Sequence, residues 1–226
     1  MERGRELNFI DWPFHWKSGL FWTAALLLTL KILQWMVPAH WATFAPLLLI
    51  YLPFFLFMRM RRPIDFLDRD LKTFWRNVIL FLLAVLIIFP PYLLVAHVWM
   101  LYVFGYHHFN PASWIELFRF GLYQTLVVAL PEEFFFRGYL HPILNRAWPQ
   151  RWNFWGTKLG WGWVFTALLF AFAHSVIYIR WWHFSIFFPA LLFGYLRERS
   201  GSITAPILFH AFSNCFMNWF MQSYLR

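Results

Sequence analysis

Long apolar runs separated by short polar segments are the dominant pattern along the chain. A helix of about 20 apolar residues is long enough to cross a bilayer. We predict seven such spans, at residues 18–37, 40–58, 77–103, 114–138, 160–180, 183–197 and 203–222. The third is long and contains Pro90 and Pro91, and the sixth is short, so six to eight spans fit the pattern. The pattern therefore predicts an all-α fold, a polytopic transmembrane helical bundle.

Composition supports a membrane protein. Of the 226 residues, 61% are hydrophobic and 13% are charged, whereas a soluble domain has about 25% charged residues. The chain also has 30 Phe and 16 Trp, more than a soluble core of this length could bury. Neither an internal repeat nor a linker interrupts it, so we expect residues 1–226 to form a single integral membrane domain. The single Cys215 excludes an intramolecular disulfide.

The net charge of +9 is unevenly distributed. Basic residues cluster near the N-terminus, in segment 59–76, and in the connections after the fourth and sixth predicted spans, whereas segment 105–114 has no Lys or Arg. Basic loops stay on the cytoplasmic side of a membrane. The distribution predicts a cytoplasmic N-terminus and membrane lipids as partners, and it argues against a nucleic-acid-binding surface.

Charged residues inside the fourth span are the first candidates for chemistry. The stretch LPEEFFFRGYL, residues 130–140, contains Glu132, Glu133 and Arg137. Glu133 and Arg137 are four residues apart, the spacing of an ion pair on one helix face. Glu132 points about 100° away around the helix, which leaves it outside that pair. An unpaired carboxylate in an apolar setting is suited to accept and return a proton.

Two other predicted spans carry polar residues that could join this site. The fifth contains His174, with Phe170 one turn earlier, and the seventh contains His210 and Asn214, four residues apart on one face. Any one of these alone is typical of hydrogen bonding between membrane helices. Together with Glu132 they favour one aqueous pocket that holds a general base, a second proton carrier and donors for an oxyanion.

These residues carry a family resemblance. Glu132-Glu133-x-x-x-Arg137, Phe170-x-x-x-His174 and His210-x-x-x-Asn214 resemble, in order, the three motifs of the CPBP family of intramembrane proteases. That family includes CAAX proteases, bacteriocin-processing enzymes and the Rce1-type prenyl-protein endopeptidases. The resemblance covers roughly residues 115–220, which we expect to form the catalytic core.

The resemblance implies a glutamate-dependent peptidase. Glu132 would activate the attacking water with help from His174, and His210 and Asn214 would stabilise the tetrahedral oxyanion. Glu133 and Arg137 would hold the site together, and Phe170 would pack rather than react. No cofactor is implied, and the substrate would be a membrane-embedded or lipidated peptide or a C-terminal sorting segment. We expect an integral protein of a bacterial inner (cell) membrane.

Alternatives remain at this stage. A glutamate and two histidines are also ligands that zinc accepts, with water in the open position, so a zinc-dependent membrane peptidase is one of them. A transporter or scaffold could bury the same polar residues. One feature argues against a shared pocket. The basic loops place Glu132 near the cytoplasmic end of its span and His174 past the middle of its own, an offset on the order of 9 Å.

Overall fold

The structure is a computed structural model that describes residues 14–38, 43–111, 113–178 and 180–225. Arg3 and Arg5, which contribute to the predicted cytoplasmic N-terminus, lie outside these ranges. The described chain is mostly helical, as predicted, with one short β-hairpin.

Three helices precede the motif-bearing region. Helix α1 is Trp16–Met36, a 3₁₀ turn at Ala45–Leu47 leads into α2 at Leu48–Arg59, and α3 is Leu71–Tyr102. Pro90 and Pro91 lie within α3 without ending it, and α3 begins six residues before the predicted span 77–103. Asp70 caps its start, where a carboxylate oxygen accepts the Thr73 backbone N–H at 2.7 Å. That hydrogen bond holds the pKa of Asp70 below its usual value.

Glu132 and Glu133 lie on a long helical segment, residues 114–147, which we call the motif helix. It alternates between two helix types along its length. Its parts are α-helical Trp114–Tyr123, π-helical Gln124–Ala129, α-helical Leu130–Glu133, π-helical Phe134–Leu140 and α-helical His141–Ala147. The helical segment continues nine residues beyond the predicted span 114–138. The sequence pattern gave no sign that the more polar residues after Leu140 are also helical.

A short β-hairpin, which the sequence did not predict, follows the motif helix within the otherwise helical fold. Strands β1, Gln150–Phe154, and β2, Thr157–Gly160, pair antiparallel. Trp155 and Gly156 form the turn with φ of 47° and 73°, and positive φ at both positions is the mark of the hairpin turn that matches strand twist. The usual Asn-Gly signal is replaced by Trp-Gly, so the sequence pattern predicted only a loop.

The last three helices complete the bundle. Helix α4 is Trp161–Ile177, a 3₁₀ segment at Trp181–Ile186 precedes α5 at Phe187–Ser200, and α6 is Thr204–Leu225. Predicted span 183–197 therefore begins in the 3₁₀ segment and ends three residues early. The largest core cluster joins residues from all of these elements around the buried Phe134–Leu140 stretch.

The number of membrane spans is not confirmed. Among the described residues, Trp16–Met36 and Leu71–Tyr102 are long and apolar enough to cross a membrane, and Ala45–Arg59 and Trp161–Ile177 are apolar but shorter. Only 6% of the most apolar window of α3 is buried, which is unlike the central helix of a soluble domain. The seven-span arrangement and its orientation stay predictions.

The segment between α2 and α3 is anchored to the motif helix. Phe66 is buried, and its backbone carbonyl accepts the Ile203 N–H at 3.0 Å. A Cβ on Gly138 would lie 2.6 Å from the Phe66 ring, so the absence of a side chain at that position permits the contact. Both Asp68 carboxylate oxygens are also engaged, by Asn77 and by Thr204.

Candidate active site

A cavity of about 510 Å³ lies between α1, the motif helix, α4 and α6. Glu132, His174 and Asn214 line it. This volume is within the range of small-molecule and cofactor sites, about 300–1,000 Å³. Most of the remaining wall is aliphatic or aromatic, and Gln34, Thr43 and Gln124 also line it.

Two histidines face the same carboxylate oxygen of Glu132. Its Oε2 lies 3.6 Å from His174 Nε2 and 3.9 Å from His210 Nε2. These separations are longer than a direct hydrogen bond, and contacts of this length are commonly bridged by water. Glu132 Oε2 is buried and has no hydrogen-bond partner among the described residues. The oxygen is therefore placed to bind a group that enters the cavity.

The other ring nitrogen of each histidine is already engaged. His174 Nδ1 lies 2.9 Å from the Phe170 carbonyl oxygen, and His210 Nδ1 lies 2.9 Å from Glu133 Oε1. A carbonyl oxygen can only accept a hydrogen bond, and an ionised carboxylate likewise, so each Nδ1 carries the proton. In the neutral form each Nε2 then has its lone pair directed at the Glu132 side of the cavity, and in the imidazolium form it has an N–H there.

Glu133 is buried behind this face of the site. Its Oε1 accepts from Arg137 Nη1 at 2.9 Å as well as from His210. Arg137 Nη2 donates to the Ala190 carbonyl of α5 at 3.0 Å, and its guanidinium lies 4.3 Å above the Phe170 ring. The predicted i,i+4 pair is thus present, and it links the motif helix to both α5 and α6.

Asn214 has a partner that the sequence did not indicate. Its Nδ2 donates to Gln124 Oε1 at 2.8 Å, and both residues line the cavity. A carboxamide nitrogen has two N–H donors, so one of them remains for a ligand. Gln124 begins the first π-helical stretch, and a residue in the middle of an apolar helix carries no motif signal that would have singled it out.

Aromatic rings fix the orientation of the two histidines. Phe170 is buried and packs on His174 with ring centroids 4.7 Å apart, as expected for a residue that packs. Phe193 of α5 stacks on His210 at 4.8 Å with an interplanar angle of 18°. Phe193 was missed because a Phe among so many in apolar helices carries no distinguishing pattern.

All seven predicted site residues are therefore close together in space. The expected offset on the order of 9 Å between Glu132 and His174 is absent, since their side chains approach to 3.6 Å. Single-turn π-helical segments often occur at functional sites, and here two of them flank Leu130–Glu133. They change the helical rise and rotation, so counting residues from the loops as if the helix were ideal gives the wrong depth. The roles of the seven residues stay predictions.

Metal binding is the remaining question about this geometry. Within the part of the chain that the structure describes, no group of three or more His, Cys, Asp or Glu is arranged to hold a metal ion. The zinc alternative depends on Glu132, His174 and His210, whose facing atoms are 3.6 and 3.9 Å apart. The expectation of a metal-free site stays a prediction.

Comparison with known proteins identifies a family for the region that contains the site. Residues 114–216 match the family model of Rce1-like type II CAAX prenyl endopeptidases. The predicted resemblance to the CPBP and CAAX proteases is confirmed by this match. The matched range begins with the motif helix and ends inside α6, just after Asn214. Searches of curated proteins and of solved structures found no match.

Proposed function

We propose that this chain, whose residues 114–216 belong to the Rce1-like family of type II CAAX prenyl endopeptidases, is an intramembrane endopeptidase that uses a glutamate-activated water. The family match supports a membrane-embedded protease and favours it over the transporter or scaffold alternative. The observation that carries the mechanism is the position of Glu132 Oε2 between two imidazole Nε2 atoms in a cavity. A water held there would contact all three groups.

The first step is attack of this water on the scissile carbonyl carbon. Glu132 takes a proton from the water as its oxygen forms the new C–O bond, and His174 orients the water through Nε2. Because the Phe170 carbonyl holds the Nδ1 proton, the His174 ring is kept in the tautomer whose Nε2 can accept. The nucleophile is water, so no acyl-enzyme forms.

The second step is stabilisation and collapse of the tetrahedral intermediate. The remaining Asn214 N–H and a protonated His210 Nε2 donate to the oxyanion, and preorganised donors of this kind make large contributions to catalysis. Glu133 accepts the hydrogen bond from His210 Nδ1, which orients the ring so that Nε2 faces the Glu132 side of the site. The C–N bond then breaks, and Glu132 returns its proton to the leaving amine.

The substrate class follows from the surroundings of the site. The cavity wall is mainly apolar, and the matched family acts on prenyl proteins, so a membrane-embedded or lipidated peptide segment is the substrate we propose. Membrane lipids would surround the exposed faces of α1 and α3. The orientation with a cytoplasmic N-terminus belongs to the same proposal.

The test uses purified protein in lipid nanodiscs and a library of quenched fluorescent peptides, lipidated and unlipidated. We compare the wild type with Glu132→Gln and His174→Ala, each with and without a zinc chelator. Asp70→Asn is the matched control, because it makes the same carboxylate-to-amide change at an exposed helix cap, where Asn caps as well as Asp.

We expect cleavage that is insensitive to the chelator and is abolished by both cavity substitutions but not by Asp70→Asn. Cleavage lost to the chelator and restored by zinc would assign Glu132, His174 and His210 to a metal site. Cleavage that persists in Glu132→Gln would overturn the proposed mechanism.

A further inference from the structure

The part of the chain before the family match supplies a large share of the cavity wall. Seven of the seventeen described residues that line the cavity precede residue 50: Leu27, Leu30, Gln34, Thr43, Ala45, Pro46 and Leu49. They come from α1, from the segment that leads into α2, and from the first turn of α2. The catalytic candidates all lie in the matched region, so this wall is the feature through which the chain can adapt the site to its own substrate.

Gln34 is the polar residue of α1 on this wall. Its side-chain oxygen Oε1 is buried and has no hydrogen-bond partner among the described residues. The Asn214 carboxamide, by contrast, is hydrogen-bonded to Gln124. A buried acceptor without a partner is costly, and such groups in native proteins are nearly always satisfied by something. The Gln34 oxygen is therefore a candidate for binding a donor that enters the cavity.

The position of Gln34 relative to the catalytic residues is set by a neighbouring contact. Lys31 Nζ donates to the Ile177 carbonyl at 2.8 Å, which places this part of α1 beside the end of α4. His174 lies in the last turn of α4. Gln34 is about one turn beyond Lys31 along α1, and it lines the same cavity as His174 and Tyr178.

One face of α1 borders the cavity and changes from aliphatic to polar along the helix. Leu27, Leu30 and Gln34 have the i, i+3, i+7 spacing of one helix face, and all three line the cavity. Seven residues of helix extend about 10 Å, which is the length of about three residues of extended chain. The two leucine side chains can contact apolar side chains of a short extended peptide, and the Gln34 oxygen can accept a hydrogen bond from one of its backbone N–H groups.

We propose that Gln34 is a substrate-positioning residue, whose side-chain oxygen accepts a hydrogen bond from a backbone N–H of an extended apolar substrate segment lying along α1. A helical segment offers no such N–H, because its amides are bonded within the helix. Gln34 therefore selects substrate that is locally unwound beside the catalytic residues. This inference rests on the proposed peptidase function.

The experiment is a scan of substrate N–H groups against Gln34. A peptide that the wild type cleaves is resynthesised with each backbone amide N-methylated in turn, and kcat and KM are measured for the wild type and for Gln34→Leu. Gln222→Leu is the control, since it makes the same change on α6 outside the cavity lining. Gln34→Met provides a second, more flexible replacement if the leucine variant folds poorly.

We expect Gln34→Leu to raise KM about threefold to tenfold, the effect of one hydrogen bond, with kcat changed less than twofold. N-methylation at one position should raise the wild-type KM by a similar factor and have no further effect in Gln34→Leu. Gln222→Leu should keep the wild-type response at every position. Affinity of the same peptides for Glu132→Gln protein, with and without Gln34→Leu, should show the same coupling in the absence of cleavage.

Two other results would overturn the inference, and they are distinguishable. Peptides that are cleaved or bound, but whose N-methylation penalties are identical in the wild type and Gln34→Leu, would remove the role of Gln34 while leaving the peptidase intact. A library in which the wild type neither cleaves nor binds any peptide would overturn the proposed function, and this inference with it.

Discussion

Glu132 and Glu133 are adjacent in sequence and have opposite environments. Glu133 is 0% exposed, and one of its oxygens is shared by Arg137 and His210. Glu132 is 13% exposed, and its Oε2 faces the cavity with two imidazoles beyond hydrogen-bonding distance. The Oε2 of each glutamate is buried without a hydrogen-bond partner among the described residues, so the difference lies in the ion pair that Glu133 makes with Arg137 and in the cavity that Glu132 lines. These contacts are the basis for proposing a structural role for Glu133 and a chemical role for Glu132.

The substitution Glu132→Gln is the most direct test of the difference between the two glutamates. The amide keeps the shape but cannot take a proton from water, so we expect the rate constant for peptide cleavage to fall by about 10²–10⁴. The two imidazoles that face Glu132 Oε2 lie 3.6 and 3.9 Å away, beyond hydrogen-bonding distance, so the midpoint of thermal unfolding in detergent should fall less than in Glu133→Gln. A large drop in that midpoint would place Glu132 in the same structural class as Glu133.

The same substitution one residue later should have the opposite profile. Glu133→Gln leaves the buried Arg137 guanidinium without its counter-ion, and removing one partner of a buried pair costs about 3–5 kcal/mol. We expect a lower unfolding midpoint and less folded protein in the membrane, measured by the fluorescence of the many Trp residues. If the stability of Glu133→Gln were unchanged while cleavage was lost, Glu133 would be a participant in the reaction. The two glutamates would then not differ in role.

A smaller effect is expected at the oxyanion side of the cavity. Asn214→Ala removes an N–H donor, and losing one such donor lowers kcat by about 10²–10³. Asn218→Ala, one turn further along α6 and outside the cavity lining, is the matched control and should retain wild-type kcat. Equal losses in the two variants would mean that Asn214 acts in helix packing instead.

The smallest effect should come from Gln124. Gln124→Leu removes the acceptor that orients Asn214, and we expect kcat to fall about threefold to tenfold, as for one neutral hydrogen bond. Gln124→Glu retains the acceptor oxygen and should restore most of the rate. In an Asn214→Ala background, Gln124→Leu should not lower kcat further. A full additional loss of kcat there would mean that Gln124 does not act through Asn214.

The sequence was sufficient to predict which polar residues lie together, but not the residues that hold them in place. The i,i+4 spacing predicted the Glu133–Arg137 pair, and the 100° offset of Glu132 predicted its exclusion from that pair. Both inferences need only local helical geometry, which the π-helical stretches modify without abolishing. The order of the motifs predicted that His174, His210 and Asn214 would join them.

Contacts made by generic residues could not be predicted. The Ala190 carbonyl that binds Arg137 belongs to a residue type without a chemical signal, and Phe193 is one of 30 Phe. The wall from α1 was also missed, because the residues of the motif helix, α4 and α6 that share the cavity with it are distant in sequence. The predicted difference in depth between Glu132 and His174 was wrong for a related reason. Counting residues assumes a constant helical rise, which the π-helical segments do not keep.

The bonds of Glu133 and Arg137 also bear on how a substrate would be loaded. They link the motif helix to α5 through Ala190 and to α6 through His210, so these three helices resist separation. Helix α1 is joined to α4 by the Lys31 hydrogen bond, and Leu26 and Leu27 of α1 pack in the apolar core, a kind of contact that lipid tails can replace at little cost. Under the proposed function, we expect a membrane-borne substrate to enter on the α1 side, laterally from within the bilayer. Acyl-chain order in the host membrane, rather than diffusion through water, would then govern the rate of substrate capture.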